Sequence, residues 1–190
     1  ALLVIDSPPV NSLNERSLDE LNTVLQHLAH QDEIAALVIT GAGNAFVAGA
    51  NVKELLEVGE AGDLDSAQTP PNAAHTAFSA LENLGKPVIA AVNGPALGGG
   101  CELALACACV VADRHARFGQ PEINLNLLPG YGGTQRLTRR LYQHGGDDGL
   151  LEALRLIASG RAMEAAEAQR SGLVDAIVDG PGRGAVEFAI

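Results

Sequence analysis

The 190 residues are enough for one domain with a sizeable core. A balance of 47% hydrophobic to 18% charged residues excludes disorder. Lys plus Arg is 12 and Asp plus Glu is 23, a formal charge of −11, which excludes generic nucleic-acid binding and disfavours docking on anionic membranes.

In chain order, residues 1–6 read as a strand that Pro8-Pro9 ends. Ser17, with Glu20 three residues on, predicts a capping box. Leu18, Leu21, Val24, Leu25 and Leu28 follow at helical spacing. Residues 35–40 predict a strand closed by Gly41-Ala42-Gly43-Asn44, and Val52 to Val58 a short helix. The acidic, Pro-bearing stretch 59–72 reads as an exposed loop. Ala74, Ala77, Phe78, Leu81 and Leu84 line one helix face, and Lys86-Pro87 introduces a strand over 88–92. Residues 93–100 read as a turn opening an apolar helix from Gly99 to Ala108, and 109–112 as a strand. The Gly-, Pro- and Asn-rich residues 118–133 read as loop. Helices over 134–142, 149–158 and 162–171 and a strand over 173–178 complete the chain. Strands alternating with helices define an α/β class.

Gly98-Gly99-Gly100 stands between a strand and a helix, leaving backbone N–H groups unshielded by side chains. Such a turn binds an anion or a developing oxyanion. Glycines alone are more readily a tight packing turn. Glu102 changes the balance, because it lies one turn into a helix of Cys, Leu and Ala with no cation in reach along it. A carboxylate there is costly unless it is used or partnered. Glu122, in Phe118-Gly119-Gln120-Pro121-Glu122, is a second candidate, and two converging carboxylates can run acid–base chemistry on one water. The turn Ala45-Phe46-Val47-Ala48-Gly49-Ala50-Asn51 offers a second set of backbone donors, so two strand-to-helix turns together could make an oxyanion hole.

The segments AFVAGANVKEL, KPVIAAVNGPALGGGCELALAC, FGQPEINLNLLPGYGGTQRL and AAEAQRSGLVDAIV together resemble the enoyl-CoA hydratase/isomerase (crotonase) superfamily, in its order and over nearly the whole chain. The resemblance implies a spiral of ββα units with surrounding helices, assembled as a trimer or a dimer of trimers. It implies an acyl-CoA thioester substrate held by the amides of Ala50 and Gly99, and hydration of a 2-enoyl-CoA, a fatty-acid β-oxidation step. Glu122 would exchange the α-carbon proton and Glu102 would help activate the water. Ala48, Gly49, Ala50, Asn51, Val52, Lys53, Gly98 and Gly99 would line the CoA-binding edge, and Pro9-Val10-Asn11 resembles an N-terminal CoA-contacting segment. No metal or redox cofactor is implied, since coenzyme A is part of the substrate.

Residues 1–190 would be the core domain, with C-terminal trimerisation helices lying beyond it. Departures from the family pattern are Asn51, where Asp is usual, Ala108 between two cysteines, and a longer 141–149 segment expected to be a loop. An isomerase, a hydrolase or a lyase on alicyclic or aromatic acyl-CoA, or a non-catalytic binding protein, are the alternatives within the fold. Two glutamates favour the hydratase.

Among rival motifs, Gly180-Pro181-Gly182-Arg183-Gly184-Ala185 matches a dinucleotide fingerprint, but the second strand and the acidic residue about 20 residues on that such a domain needs are not within the 190 residues, and Pro181 suggests a plain turn. Cys101, Cys107 and Cys109 read as buried small hydrophobes in a reducing compartment, cytoplasmic in a bacterium or the mitochondrial matrix in a eukaryote. No signal peptide or bilayer-length apolar run is visible. Arg136, Arg139 and Arg140 form a basic helix face, read foremost as a subunit interface.

Overall fold

The computed structural model describes residues 1–48, 64–179 and 184–190. The predicted helix at 52–58 and residues 180–183 of the fingerprint-like motif lie outside the described residues. Strands β1 (Leu2–Ile5), β2 (Leu37–Gly41), β4 (Val88–Val92), β6 (Cys109–Asp113) and β9 (Ala176–Val178) form a parallel sheet in the order β1-β2-β4-β6-β9. A second sheet holds β3 (Val47–Ala48), β5 (Pro95–Leu97), β7 (Arg117–Gly119) and β8 (Ala162–Glu164), with only β8 antiparallel.

The two sheets are wound together. Each of β2, β4 and β6 in the first sheet is followed in the chain by β3, β5 and β7 in the second. A helix comes next each time: α2 (Leu64–Glu82) after β3, α3 (Gly99–Leu105) after β5, and α4 (Gly133–Ser159) after β7. This is a spiral of ββα turns, the expected architecture. The central strand β4 is apolar from end to end because both faces are covered, and its Ala90, Ala91 and Val92 are fully buried. Asn93 ties two turns of the spiral together. Its Nδ2 donates to the Gly41 and Gly43 carbonyls, both at 2.9 Å, and its Oδ1 accepts from the Gly41 amide.

Helix α1 (Glu15–Ala29) buries Leu18, Leu21, Leu25 and Leu28 and packs against α2, while Val24 faces solvent. It starts earlier than the Ser17 cap predicts. Asn14 is the cap, accepting from the Ser17 amide at 2.8 Å, and the Ser17 hydroxyl accepts from the Asn14 amide at 2.9 Å. Ser17 is therefore the third helical residue, and Glu20 instead pairs with Arg16 at 2.9 Å.

Residues 64–72, read as loop, are helical, so α2 runs through Pro70-Pro71. The missing prolyl N–H groups cost the helix two bonds, yet Ala74, Ala77, Phe78 and Leu81 bury its next turns in the core and fix its axis.

The 93–100 turn contains the three-residue strand β5, and α3 ends at Leu105 rather than Ala108. The 118–133 stretch carries a 3-10 turn at Pro121–Leu125. The 141–149 segment is helix rather than loop, broken only at Gly146 (φ 58°, ψ −136°), where two helices meet. Helices α5 (Ala165–Arg170) and α6 (Gly184–Ala189) flank β9. Within the predicted 162–171 helix, residues 162–164 are β8, and the last strand is shorter than predicted. No helix among the described residues is long and apolar enough to cross a membrane.

Candidate active site

Strand β5 delivers the chain to Gly98 at φ 56°, ψ −124°, backbone that only glycine adopts without strain. Its N–H donates to the Gly119 carbonyl at 2.9 Å, which pins the start of α3 to β7. Gly99 is the first helical residue, so its N–H has no acceptor within the helix. A side chain at Gly99 would press on the buried Tyr131 ring, 3.0 Å from its Cδ2. At Gly100 a Cβ would overlap the Val47 carbonyl oxygen, so α3 lies directly on β3. Since the obstacle is backbone, Gly100→Ala is expected to destabilise the fold by about 3 kcal/mol, the upper end of overpacking costs. An unchanged urea midpoint would contradict this contact.

All seven residues of α3 are buried, Glu102 among them at 1% exposure. Its Oε1 accepts from the Tyr131 amide at 2.8 Å and the Gly133 amide at 2.7 Å. Burial pushes the Glu102 carboxyl up to about 7, and the Gly133 amide opposes that shift. The Glu122 charge raises it further, while the Tyr131 amide and Arg136 pull it down. Glu122 sits half-buried in the 3-10 turn, and burial raises its carboxyl against the pull of its own N–H.

Gln120 lies beside both acids. It is fully buried, and with its amide nitrogen turned toward Glu122, as its surroundings require, it donates to both carboxyl oxygens at 3.3 Å. The same amide and the Glu102 carboxyl crowd one point beside Gly133, where a Cβ would stand 2.8 Å from Glu102 Oε1. The predicted pair Glu102 and Glu122 is thus brought into one cluster, beside the turn that carries Gly99.

Of the second turn, Ala48 is described. It ends β3 in register with Leu97 of β5, so the two parallel strands leave the sheet side by side. Gly49, Ala50, Asn51, Val52 and Lys53 lie outside the described residues. The Pro9-Val10-Asn11 segment adjoins this region. The Val10 carbonyl accepts from the Ala48 amide at 2.9 Å. Buried Asn11 donates to the carbonyls of Ala42 (2.8 Å), Ala45 (2.9 Å) and Phe46 (3.3 Å).

Two arginines of the basic face pair within the chain, and Arg139 is exposed. Arg136 is buried and pairs with Glu82 at 2.8 Å, and Arg140 pairs with Asp175 at 2.6 Å. Both partners are far off in sequence, beyond the reach of a local reading. Gln120, Tyr131 and Gly133 also escaped the sequence reading as site residues, although all three lie in the motif around Glu122. The three cysteines are free, and Cys101 and Cys107 are buried. Among the described residues no group of three or more His, Cys, Asp and Glu is arranged to hold a metal.

A buried carboxyl seated on two amides, a second carboxyl near it and a helix-start amide on a ββα spiral form an arrangement that can run acid–base chemistry. The family model for Enoyl-CoA hydratase/isomerase matches residues 1–181. The chain is 43% identical over 169 residues to "Probable enoyl-CoA hydratase echA8" of Mycobacterium bovis, covering 89% of this chain and 61% of that protein. It is 41% identical over 181 residues to the short-chain-enoyl-CoA hydratase of Clostridium acetobutylicum, covering 94% of this chain and 65% of that one. Among solved structures, Pseudomonas aeruginosa DspI superposes with a TM-score of 0.88 at 38% identity, covering 99% of this chain and 68% of that one. An enoyl-CoA hydratase from Bacillus anthracis gives a TM-score of 0.84 at 35% identity, over 99% and 69%. The chain belongs to the enoyl-CoA hydratase/isomerase family. It spans less than two thirds of the length of these two curated relatives.

Proposed function

We propose that this chain carries the catalytic core of an enoyl-CoA hydratase, adding water across the 2,3 double bond of a 2-enoyl-CoA. The observation that carries this reading is the amide-seated Glu102, coupled to Glu122 beside the Gly99 turn. The thioester carbonyl accepts from the Gly99 N–H and, by the family pattern, from that of Ala50. As the double bond accepts the water oxygen at C3, negative charge moves to that carbonyl oxygen, where fixed donors stabilise it. Glu102, ionised in part at neutral pH, takes the water proton, and Glu122 in its protonated form gives one to C2. The net addition is one water, and the two carboxyls exchange charge. The thioester acidifies the α-position itself, so the reading calls for no metal or redox group.

Ala48, Gly49, Asn51, Val52, Lys53 and Gly98 are the proposed lining of the CoA edge, with Lys53 a phosphate contact. The isomerase alternative needs only one acid, and both are here. Assembly as a homotrimer or dimer of trimers, in the cytoplasm of a bacterium, completes the proposal. Three unpaired cysteines support a reducing compartment. A relative in Escherichia coli, 42% identical over 174 residues, is named 2,3-dehydroadipyl-CoA hydratase, so both short and carboxylated enoyl chains belong in the substrate panel. The test is loss of the enoyl-thioester absorbance of crotonyl-CoA and 2,3-dehydroadipyl-CoA with the full-length protein. Turnover that disappears with either glutamate supports hydration. CoA-ester binding without turnover on either substrate would overturn it.

A further inference from the structure

Arg136 stands outside the acid–base pair but is bonded into its support. It is buried, and its side-chain nitrogens are all engaged. Nε and Nη2 donate to the two oxygens of Glu82 at 3.0 and 2.8 Å, which bridges α4 to α2. Nη1 donates to the Tyr131 carbonyl at 2.9 Å. The guanidinium lies 5.8 Å from the centre of the Phe78 ring, and Phe78 meets Tyr131 edge-on at 6.2 Å. The 131–133 turn is therefore held from both sides. Its carbonyl is fixed by Arg136, and its amides, from Tyr131 and Gly133, seat Glu102. A buried ion pair is weak evidence for stability, because an apolar replacement often serves as well. A fork that spans a carboxylate and a turn carbonyl sets geometry, which neither Lys nor an apolar group can do.

We propose that Arg136 and Glu82 are positioning residues for Glu102: the pair locks the 131–133 turn so that both amides stay on the Glu102 carboxylate during turnover. The kinetic half of this inference rests on the hydration reading above; its structural half does not. The charged and titratable groups around Glu102 are Cys101 on its own helix, Glu122 from the 3-10 turn, and Tyr131 and Arg136 beside it. Glu82 and His75 from α2 lie behind Arg136, with His75 Cε1 3.7 Å from where a Gly132 Cβ would sit. Burial keeps the Cys101 thiol neutral, and Arg136 holds Glu82 ionised.

The test is a carbon-13 NMR titration of the glutamate carboxyls in the full-length protein, with the Glu102 signal assigned by its loss in Glu102→Gln. Steady-state kinetics and thermal melts are run on the same variants. Removing the cation in Arg136→Gln is expected to move the Glu102 titration upward by about half a pH unit or more. Leaving the cation uncompensated in Glu82→Gln is expected to move it downward. Arg136→Lys restores the charge without the fork, so the titration returns only in part, because the loosened amides still pull it down less, while kcat stays low. In both Arg136 variants kcat is expected to fall about 10- to 100-fold with CoA-ester affinity unchanged, the scale of a small misplacement of a catalytic group. His75→Gln is expected to leave the titration in place.

Lower melting temperatures with no titration shift, or shifts of the same sign in Arg136→Gln and Glu82→Gln, would overturn the proposal. If Arg136→Gln does not fold, Glu82→Gln and Arg136→Lys carry the comparison. Opposite shifts in a wild type that hydrates no 2-enoyl-CoA would sustain the positioning role and remove the hydratase reading instead.

Discussion

Glu122→Gln is expected to lower kcat for 2-enoyl-CoA hydration about 10²- to 10⁴-fold, the usual worth of a positioned proton donor. Affinity for a CoA ester should stay within about twofold, because Gln keeps the volume and one acceptor oxygen and the thioester is held elsewhere. The fold should tolerate the change: Glu122 is half-buried in a largely exposed 3-10 turn whose bonds are mainly backbone, such as Leu127 N–H to the Glu122 carbonyl at 3.1 Å. Gln120 would then face an amide in place of a carboxylate, and that amide still offers it an oxygen. Single-turnover kinetics with isothermal titration of a non-reactive CoA thioether separates the two quantities. A kcat within a few fold of wild type would remove Glu122 from proton transfer, and an equal fall in affinity would make it a binding residue.

How much of this site was readable in the chain depends on where each part gets its identity. Glu102 was legible because a carboxylate among Cys, Leu and Ala violates the burial pattern around it. Glu122 was legible through its motif. The seat of Glu102 was not, because it is made of the Tyr131 and Gly133 amides, and a backbone donor carries no side-chain signature. Arg136 was visible, but its ion pair was not, since its partner Glu82 is 54 residues away on another helix. In the fold, the strand over 88–92 and the buried face of α2 came through cleanly, because each is a sustained apolar pattern. Strand β5 did not, since three residues beside a glycine run show no periodicity. The start of α2 was lost to Pro70-Pro71, a local stop that tertiary packing overrides.

Glu102→Gln is expected to stabilise the folded protein at pH 8 while abolishing most of its hydration activity. The carboxyl titrates near 4.5 when exposed and at about 7 in the fold, with burial the chief cause. The folded state therefore holds this proton more tightly than the unfolded chain. Below pH 4.5 both states carry it and the contribution is fully present. Between 4.5 and 7 the unfolded chain releases it first, so stability falls as pH rises, and above 7 the loss is complete. The span corresponds to roughly 3 kcal/mol at one pH unit per 1.36 kcal/mol. Gln does not ionise, and its Oε1 can still accept from the Tyr131 and Gly133 amides.

The variant should thus match wild type within about 1 kcal/mol near pH 5 and exceed it by up to about 3 kcal/mol at pH 8. Urea denaturation of both proteins from pH 5 to 8 gives the difference directly, and titrations common to both cancel in it. A difference that stays flat, or that favours wild type at high pH, would mean that Glu102 is ionised and well satisfied in the fold. Its seat of two amides would then outweigh its burial, and a carboxylate so stabilised would be a weak base for water. A rising difference would instead mark a group kept at a cost to stability and held close to neutrality, the condition under which one carboxyl can take a proton while its partner gives one.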